Sequence, residues 1–160
     1  LRTHNLPDTK FLPKKANSGS ICMHATGLTN PSDTTGSMVA ELRKEGFSSI
    51  WLSGTPHPCL SIYVPFYLGT SKSFLVAPTS NPDKSLWWKA KELHSLIDQD
   101  RQSLFFQIRE ELNIIQNRWI QQDQELSAAK SDKSILNSFS EDCYMEYQAW
   151  IADKLSQLST

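Results

Sequence analysis

The sequence lacks the features that define several large classes of protein. Its three cysteines, Cys22, Cys59 and Cys143, form neither the Cys-x-x-Cys pair of zinc and redox motifs nor an even-numbered disulfide framework. No Asn-x-Ser/Thr sequence with a permissible middle residue occurs, so nothing marks a glycosylated, secreted chain. These absences predict free thiols in a reducing, cytoplasmic compartment.

The sequence also lacks a strong charge of either sign and any long apolar run. Its net charge is −1 over 160 residues, whereas a protein that binds nucleic acid without regard to sequence carries a basic patch or stripe. No apolar run approaches the roughly 18 residues that a membrane-spanning helix needs, and no signal-peptide pattern opens the chain. We therefore predict no nucleic-acid partner and no membrane partner. Because the chain does not begin with methionine, we interpret Leu1 as a processed or truncated start.

The histidines form no recognisable metal motif. Their positions are His4, His24, His57 and His94. These spacings match none of the ligand patterns of zinc sites. The sequence therefore predicts no metal site and no cofactor.

What the chain does contain is two halves with different periodicities, which meet near residue 82. In the first half, short runs of β-branched and aromatic residues lie between turn residues such as Gly27 and Gly46, a pattern typical of strands. Strands are predicted near residues 19–25, 34–42, 48–54 and 60–64. Residues 26–33 and 43–46 are short enough to form hairpin loops, so neighbouring strands are expected to be antiparallel.

In the second half the apolar period becomes about 3.6 residues. Asn81 and Pro82 suit a helix N-cap and first helical position, and a helix is predicted over residues 83–126. Its apolar stripe comprises Leu104, Phe105, Ile108, Leu112, Ile115 and Trp119. Gln116 and the charges scattered over residues 107–133 are assigned to the solvent side. A second helix is predicted over residues 139–158, with a capping box formed by Ser138 and Glu141.

Strands followed by helices predict an α+β fold. Residues 1–82 would be the antiparallel β-rich part and residues 83–160 the helical part of the same domain. Four strands covered by two helices leave bare sheet edges, and such edges must be paired or covered. The sequence therefore predicts a partner for the sheet.

Cys22 and His24 are candidate site residues in the first predicted strand. Alternation sends Cys22 and His24 to one face and their neighbours Ile21 and Met23 to the other. Both side chains could line a pocket, or they could belong to a half-buried strand with a satisfied histidine. A nucleophilic pair is less attractive, because residues i and i+2 of a strand are about 7 Å apart, too far for direct hydrogen bonding.

Thr35 and Ser37 are further pocket candidates in the second predicted strand. Their hydroxyls flank Gly36, and the backbone can approach a ligand closely at a glycine. Threonine is also a common strand residue, so an ordinary strand explains the segment equally well. The rigid turn at residues 54–59 contains two prolines and is either one wall of a cleft or a connector between strands.

Six short motifs of residues 1–95 together resemble the secernin and dipeptidase family of cysteine N-terminal-nucleophile (Ntn) hydrolases. They are Leu1-Arg-x-His4, Ser20-Ile-Cys-Met-His-Ala25, Thr34-Thr-Gly-Ser-Met-Val39, Trp51-Leu-Ser-Gly-Thr-Pro56, Ser61-Ile-Tyr-Val-Pro-Phe66, and Leu86-Trp-Trp88 with Glu92-Leu-His94. They occur in the same order as in the family. The predicted helices after residue 95 resemble the family only in being helical.

The resemblance implies the C-terminal part of a four-layer αββα sandwich. In that family a cysteine at the mature N-terminus attacks an amide carbonyl, its α-amino group serves as general base, and an acyl-enzyme is then hydrolysed. The family's N-terminal cysteine is absent here, so no residue of this chain is assigned a catalytic role. Cys22, His24, Thr35 and Ser37 are predicted to bind substrate only.

Two functions from different classes follow from this resemblance. The first is a C-terminal subunit or fragment of a secernin-like dipeptidase or amidohydrolase, which provides sheet and cleft wall. Its partners would be an N-terminal portion with the nucleophile and a small peptide or amide substrate. The alternative is a catalytically inactive family member that acts as a structural or protein-interaction subunit, since a fold does not fix a function.

Overall fold

The described residues of this computed structural model, 2–28, 30–70 and 73–159, form an α+β fold, as predicted. The elements are β1 (Ser37–Glu41), β2 (Ser49–Ser53), β3 (Val64–Tyr67), α1 (Leu86–Gln99), α2 (Arg101–Ala128) and α3 (Lys133–Leu158). Two short 3₁₀ helices, Pro13–Lys15 and Pro58–Leu60, lie in the connections. Among these residues, no helix is both long and apolar enough to cross a bilayer.

The strands form an antiparallel sheet in the order β1-β2-β3. The predicted turn between β1 and β2 is confirmed, and Gly46 takes a positive φ of 78° there, which glycine adopts without strain. A close approach also fixes Gly36 at the start of β1, since a Cβ at that position would lie 3.1 Å from the Ser53 carbonyl oxygen. This contact within the sheet accounts for the glycine between Thr35 and Ser37.

The strand predicted at 19–25 is wrong, because this segment contains a turn at Gly19 and bends at residues 21–22 and pairs with no strand in the described parts of the chain. Its backbone hydrogen bonds go elsewhere: Cys22 N–H donates to Thr3 O (3.1 Å), and Met23 O accepts from Thr34 N–H (3.0 Å). The last strand is also displaced, since β3 begins at Val64 and a 3₁₀ turn occupies residues 58–60. The prolines of the preceding turn delay entry into the sheet.

The helix predicted over 83–126 is two helices, interrupted at Asp100, where φ and ψ are −126° and 52°. Helix α1 is capped by Ser85, whose side chain accepts from Trp88 N–H, rather than by Asn81. Helix α3 is capped by Asp132, which accepts from two backbone N–H groups of the first turn. The predicted capping box at Ser138 is therefore wrong, since that residue lies inside α3.

The apolar stripe predicted for α2 is confirmed in its main positions. Buried members are Phe105, Ile108, Leu112 and Trp119. They share one core with buried residues of α1, α3 and the β3 region, among them Leu93, Ile97, Tyr147, Ile151, Leu60 and Ile62. Burial of this continuous apolar surface is the main force that holds the helices on the sheet.

Gln116 is wrongly assigned to the solvent side, because it is buried and pairs with the backbone of Tyr63. Its Oε1 accepts from Tyr63 N–H at 2.7 Å, and its Nε2 donates to Tyr63 O at 3.0 Å. About two turns earlier along α2, Arg109 donates to the Cys59 carbonyl at 2.8 Å. Helix α2 thus fixes the backbone from Cys59 to Tyr63, which carries part of the site described next.

Candidate functional site

The fold brings all four histidines into one buried region, although their sequence spacing showed no pattern. The His24 and His57 rings stack with centroids 4.1 Å apart. His4 lies on one side, 5.4 Å from His24 between ring centroids, and His94 lies on the other, 5.8 Å from His57. These rings come from the N-terminal segment, the turn before β3 and helix α1, so only the tertiary fold assembles them.

Two thiols meet the edge of the His24 ring. His24 Nε2 lies 3.4 Å from Cys59 Sγ and 3.7 Å from Cys22 Sγ. The predicted separation of about 7 Å between Cys22 and His24 is therefore wrong for their functional atoms. That prediction assumed a pleated strand, whereas the backbone bends at residues 21–22. The predicted alternation itself is confirmed, since Cys22 and His24 are buried while Ile21 and Ala25 are exposed.

His4 approaches the same region with a defined orientation. Its Nδ1 lies 2.8 Å from Asp8 Oδ1, and its ring stacks on Phe11 with centroids 3.6 Å apart. The side chain is fully buried, and no group of the described residues forms a hydrogen bond with Nε2. An N–H on Nδ1 donated to Asp8 leaves Nε2 with a free lone pair.

Charged groups close the opposite side of His24. Asp98 Oδ2 lies 3.7 Å from His24 Nδ1, and Asp98 Oδ1 accepts from Arg101 at 2.6 Å. Asp33 Oδ1 lies 3.0 Å from His57 Nε2 and also accepts from the backbone N–H of Ala25 at 2.6 Å. These contacts hold the two stacked rings from both sides.

Burial sets the protonation of the cluster. Burial, with smaller contributions from His57 and Arg101, lowers the pKa of His24 to about 2, so this imidazole is neutral near pH 7. A hydrogen bond from Cys59 lowers the pKa of the Cys22 thiol, whereas burial raises the pKa of Cys59. Cys22 is thus the thiol that more readily becomes a thiolate.

The pair of Cys22 and His24 does not resemble an accessible nucleophile in this chain. Cys22 is 0% and His24 1% exposed to solvent. A substrate carbonyl has to approach the nucleophile to within about 3–3.5 Å before it can react. Burial of both side chains blocks that approach, so the contact between them supports binding or structure rather than attack on a substrate.

Ser37 begins the edge strand β1, and Thr35 lies two residues before it. Thr35 is exposed, and its carbonyl accepts from Trp87 Nε1 at 3.3 Å. Ser37 is half-buried and accepts a hydrogen bond from Tyr63 OH at 3.0 Å. Cys22 and His24 contact each other, whereas the contacts of Thr35 and Ser37 are with Trp87 and Tyr63.

Two apolar cavities adjoin the sheet. One of about 170 Å³ lies between Leu52, Phe66, Trp87 and Tyr147. The other, of about 320 Å³, opens beside β1 and is lined by Val39, Trp51, Tyr63 and Ile120, among others. The second cavity lies next to Ser37 through its contact with Tyr63.

Sequence reasoning missed His4, Cys59, His57 and Asp98 as members of the cluster. One local signal could have found part of it: Cys22-Met-His24 and His57-Pro-Cys59 are two Cys/His pairs, each separated by one residue. Two such pairs of soft ligands in a short chain are a stronger indication of a shared site than any single histidine spacing.

His94 makes the fold sensitive to acid. Burial, with a smaller contribution from His57, lowers the pKa of His94 from 6.5 to about 3. Below pH 6.5 the unfolded chain takes up a proton that the folded chain excludes, so stability falls with pH until about pH 3. We expect His94→Gln to remove about 1 kcal/mol per pH unit from this decline between pH 6 and 5, measured by urea unfolding. If the unfolding free energies of wild type and His94→Gln fell equally with pH, the lowered pKa of His94 would be contradicted.

Comparisons with known proteins identify no relative. No protein-family model matches the chain, and neither a curated protein nor a solved structure matches it.

Proposed function

We propose that this chain is the C-terminal part of a cytoplasmic, secernin-like Ntn hydrolase that cleaves dipeptides or other small amides. In this proposal the chain completes the αββα sandwich and one wall of the substrate cleft. The nucleophilic cysteine and its α-amino base belong to an N-terminal portion. The ordered set of six motifs over residues 1–95 supports the family.

The observation that carries the assembly is the edge strand β1. It pairs with β2 on one side, and in the described residues no strand pairs with its other side. Met38 and Val39 are 58% and 47% exposed, on opposite faces of the strand. An exposed, apolar edge is a template for another strand, and natural proteins cover or pair such edges.

The groups near this edge suit a small amide substrate. Thr35 is exposed, and the apolar cavity beside Val39 and Tyr63 is also lined by Arg2, Glu41, Gln116 and Asp123. An apolar pocket with a few polar groups is typical of sites for small molecules. Cys22 and His24 would then support this wall from the core instead of contacting substrate.

The assembly is tested with charges on the edge strand. The intact protein is purified through this chain, with Met38→Lys/Val39→Lys compared with wild type. We expect the N-terminal portion to separate from the double variant and dipeptide hydrolysis to fall at least tenfold, because lysine on an edge strand blocks pairing. Size-exclusion chromatography with mass spectrometry and a dipeptide hydrolysis assay read out the two effects.

Ile135→Lys/Met145→Lys is the matched control, since these α3 residues are 47% and 53% exposed. It should keep both assembly and activity. Hydrolysis by this chain alone, abolished in Cys22→Ala, would contradict the proposed division between the two portions. Equal losses in both double variants would contradict the role of β1.

A further inference from the structure

The buried cluster has the composition and geometry of a metal site. His4, Cys22, His24 and Cys59 each offer one ligand atom, and these atoms all lie within 4.8 Å of one another. Ligand atoms about 2.0–2.3 Å from a tetrahedral Zn²⁺ lie about 3.3–3.8 Å from each other. The distances from His24 Nε2 to the two sulfurs, 3.4 and 3.7 Å, fall in that interval.

We propose that His4, Cys22, His24 and Cys59 form a structural zinc site of the Cys₂His₂ type. Zinc fits better than magnesium or calcium, because two sulfurs and two imidazoles are soft or borderline ligands and the hard cations prefer oxygen. On binding, both thiols lose their protons to solvent. Two thiolates and two neutral imidazoles then neutralise the charge of Zn²⁺.

The surroundings of His4 supply the outer shell that such sites use. A zinc-bound histidine almost always donates its second ring N–H to a carboxylate or carbonyl. Asp8 accepts from His4 Nδ1 in this way and leaves Nε2 for the metal; Nε2 is buried and has no hydrogen-bond partner in the described part of the chain. An unpartnered buried nitrogen costs free energy, and coordination would remove that cost.

The site would be structural rather than catalytic. Four protein ligands fill a tetrahedral zinc ion, whereas catalytic zinc keeps a position for water or substrate. Three of the four side chains belong to buried residues, so solvent has little access. The proposal therefore goes beyond the hydrolase function and does not depend on it.

Zinc at this position would join two segments that have little secondary structure. Residues 2–24 contain one 3₁₀ turn, and Cys59 lies in another. A backbone hydrogen bond from Thr34 N–H to Met23 O (3.0 Å) ties the first segment to the chain that follows it, and a metal can add a cross-link between the two segments. The ion would tie the N-terminal segment to the turn that α2 holds through Arg109.

A second set of possible ligands, His24, His57 and Asp98, shares His24 with the first. It offers one carboxylate and no thiolate. Arg101 already pairs with Asp98 at 2.6 Å, which weakens that carboxylate as a ligand. The four-residue set is therefore the better zinc site, and the test distinguishes the two.

The experiment uses the intact protein that contains this chain, purified under reducing conditions without chelators. Mass spectrometry of the metals should find about one zinc per chain. After zinc is exchanged for Co²⁺, the spectrum should show thiolate-to-cobalt charge transfer and tetrahedral ligand-field bands. Both signals should disappear in Cys22→Ser and Cys59→Ser but persist in Cys143→Ser, the matched buried thiol outside the cluster.

Three further measurements keep the result clear if the cysteine variants fold poorly. Asp8→Asn should weaken zinc affinity about 10–100-fold while keeping the thiolate bands, because it removes only the outer-shell acceptor. Added zinc should raise the Tm of the wild-type apo-protein. His57→Asn should leave the thiolate bands unchanged.

Several results would overturn the proposal. One is native protein that contains no zinc and gives no thiolate band with Co²⁺. Others are binding that survives in the cysteine variants and is lost in His57→Asn, copper in place of zinc, or a disulfide between Cys22 and Cys59. If the native protein binds zinc as described but does not hydrolyse dipeptides, that result would count against the proposed hydrolase function alone.

Discussion

Asp123→Ala is expected to destabilise the fold by about 2–4 kcal/mol. Asp123 is 2% exposed and pairs with the Arg43 guanidinium, and it accepts a hydrogen bond from Tyr67 OH at 2.6 Å. The variant would leave the buried Tyr67 phenol without its acceptor, and it would remove one of the two carboxylates that pair with Arg43, which keeps Glu41 at 3.0 Å. An unpaired buried donor costs about 1–3 kcal/mol, and loss of the buried carboxylate from the ion pair adds to that cost.

Urea unfolding of the purified protein measures this effect. Glu110→Ala, an exposed acidic residue on the same helix, is the matched control and should change stability by less than about 0.5 kcal/mol. Asp123→Asn should fall between the two, because the amide keeps an acceptor for Tyr67 but loses the charge. A loss below about 1 kcal/mol in Asp123→Ala would show that water replaces the carboxylate.

Trp119→Ala is the second large effect, with an expected loss of about 3–5 kcal/mol. The indole is 1% exposed and belongs to the core that joins α2 to the sheet and α3, and its Nε1 donates to Glu146 at 3.0 Å. Truncation leaves a cavity that the surrounding helices fill only in part. Trp119→Phe should cost less, because most of the volume remains.

Phe106→Ala is the control for the truncation, since Phe106 lies on α2 with half of its side chain exposed. It should change stability much less than Trp119→Ala does. Circular dichroism with urea unfolding reports both free energies. Comparable losses in the two variants would contradict the position of the core along α2.

The burial of Trp119 could be predicted from the sequence, whereas the ion pair of Asp123 could not. Trp119 belongs to an apolar stripe at helical spacing, so its burial follows from local periodicity. Asp123 looks like one of many surface charges. Its partners Arg43 and Tyr67 lie 80 and 56 residues away, so only the tertiary fold shows the ion pair. Polar contacts between residues far apart in the sequence leave no pattern in the residues around either partner.

In the candidate site too, local features could be predicted from the sequence and contacts between distant segments could not. The alternation that buries Cys22 and His24 could be predicted, because it depends on neighbouring residues. Their partners could not be predicted, since His4 belongs to the distant N-terminal segment and Cys59 to a 3₁₀ turn that Arg109 fixes from α2. The break of the predicted helix at Asp100 was also hidden, because apolar residues continue at helical spacing on both sides of it.

The hydrolase assignment depends on a cysteine outside this chain, and one measurement tests it most directly. The native protein is captured through this chain, and the mature N-terminus of the portion that accompanies or precedes it is sequenced. The proposal predicts a cysteine at that terminus, whose replacement by alanine abolishes dipeptide hydrolysis while Cys143→Ala retains it. Any other terminal residue would contradict the hydrolase and leave the structural subunit as the function of this fold.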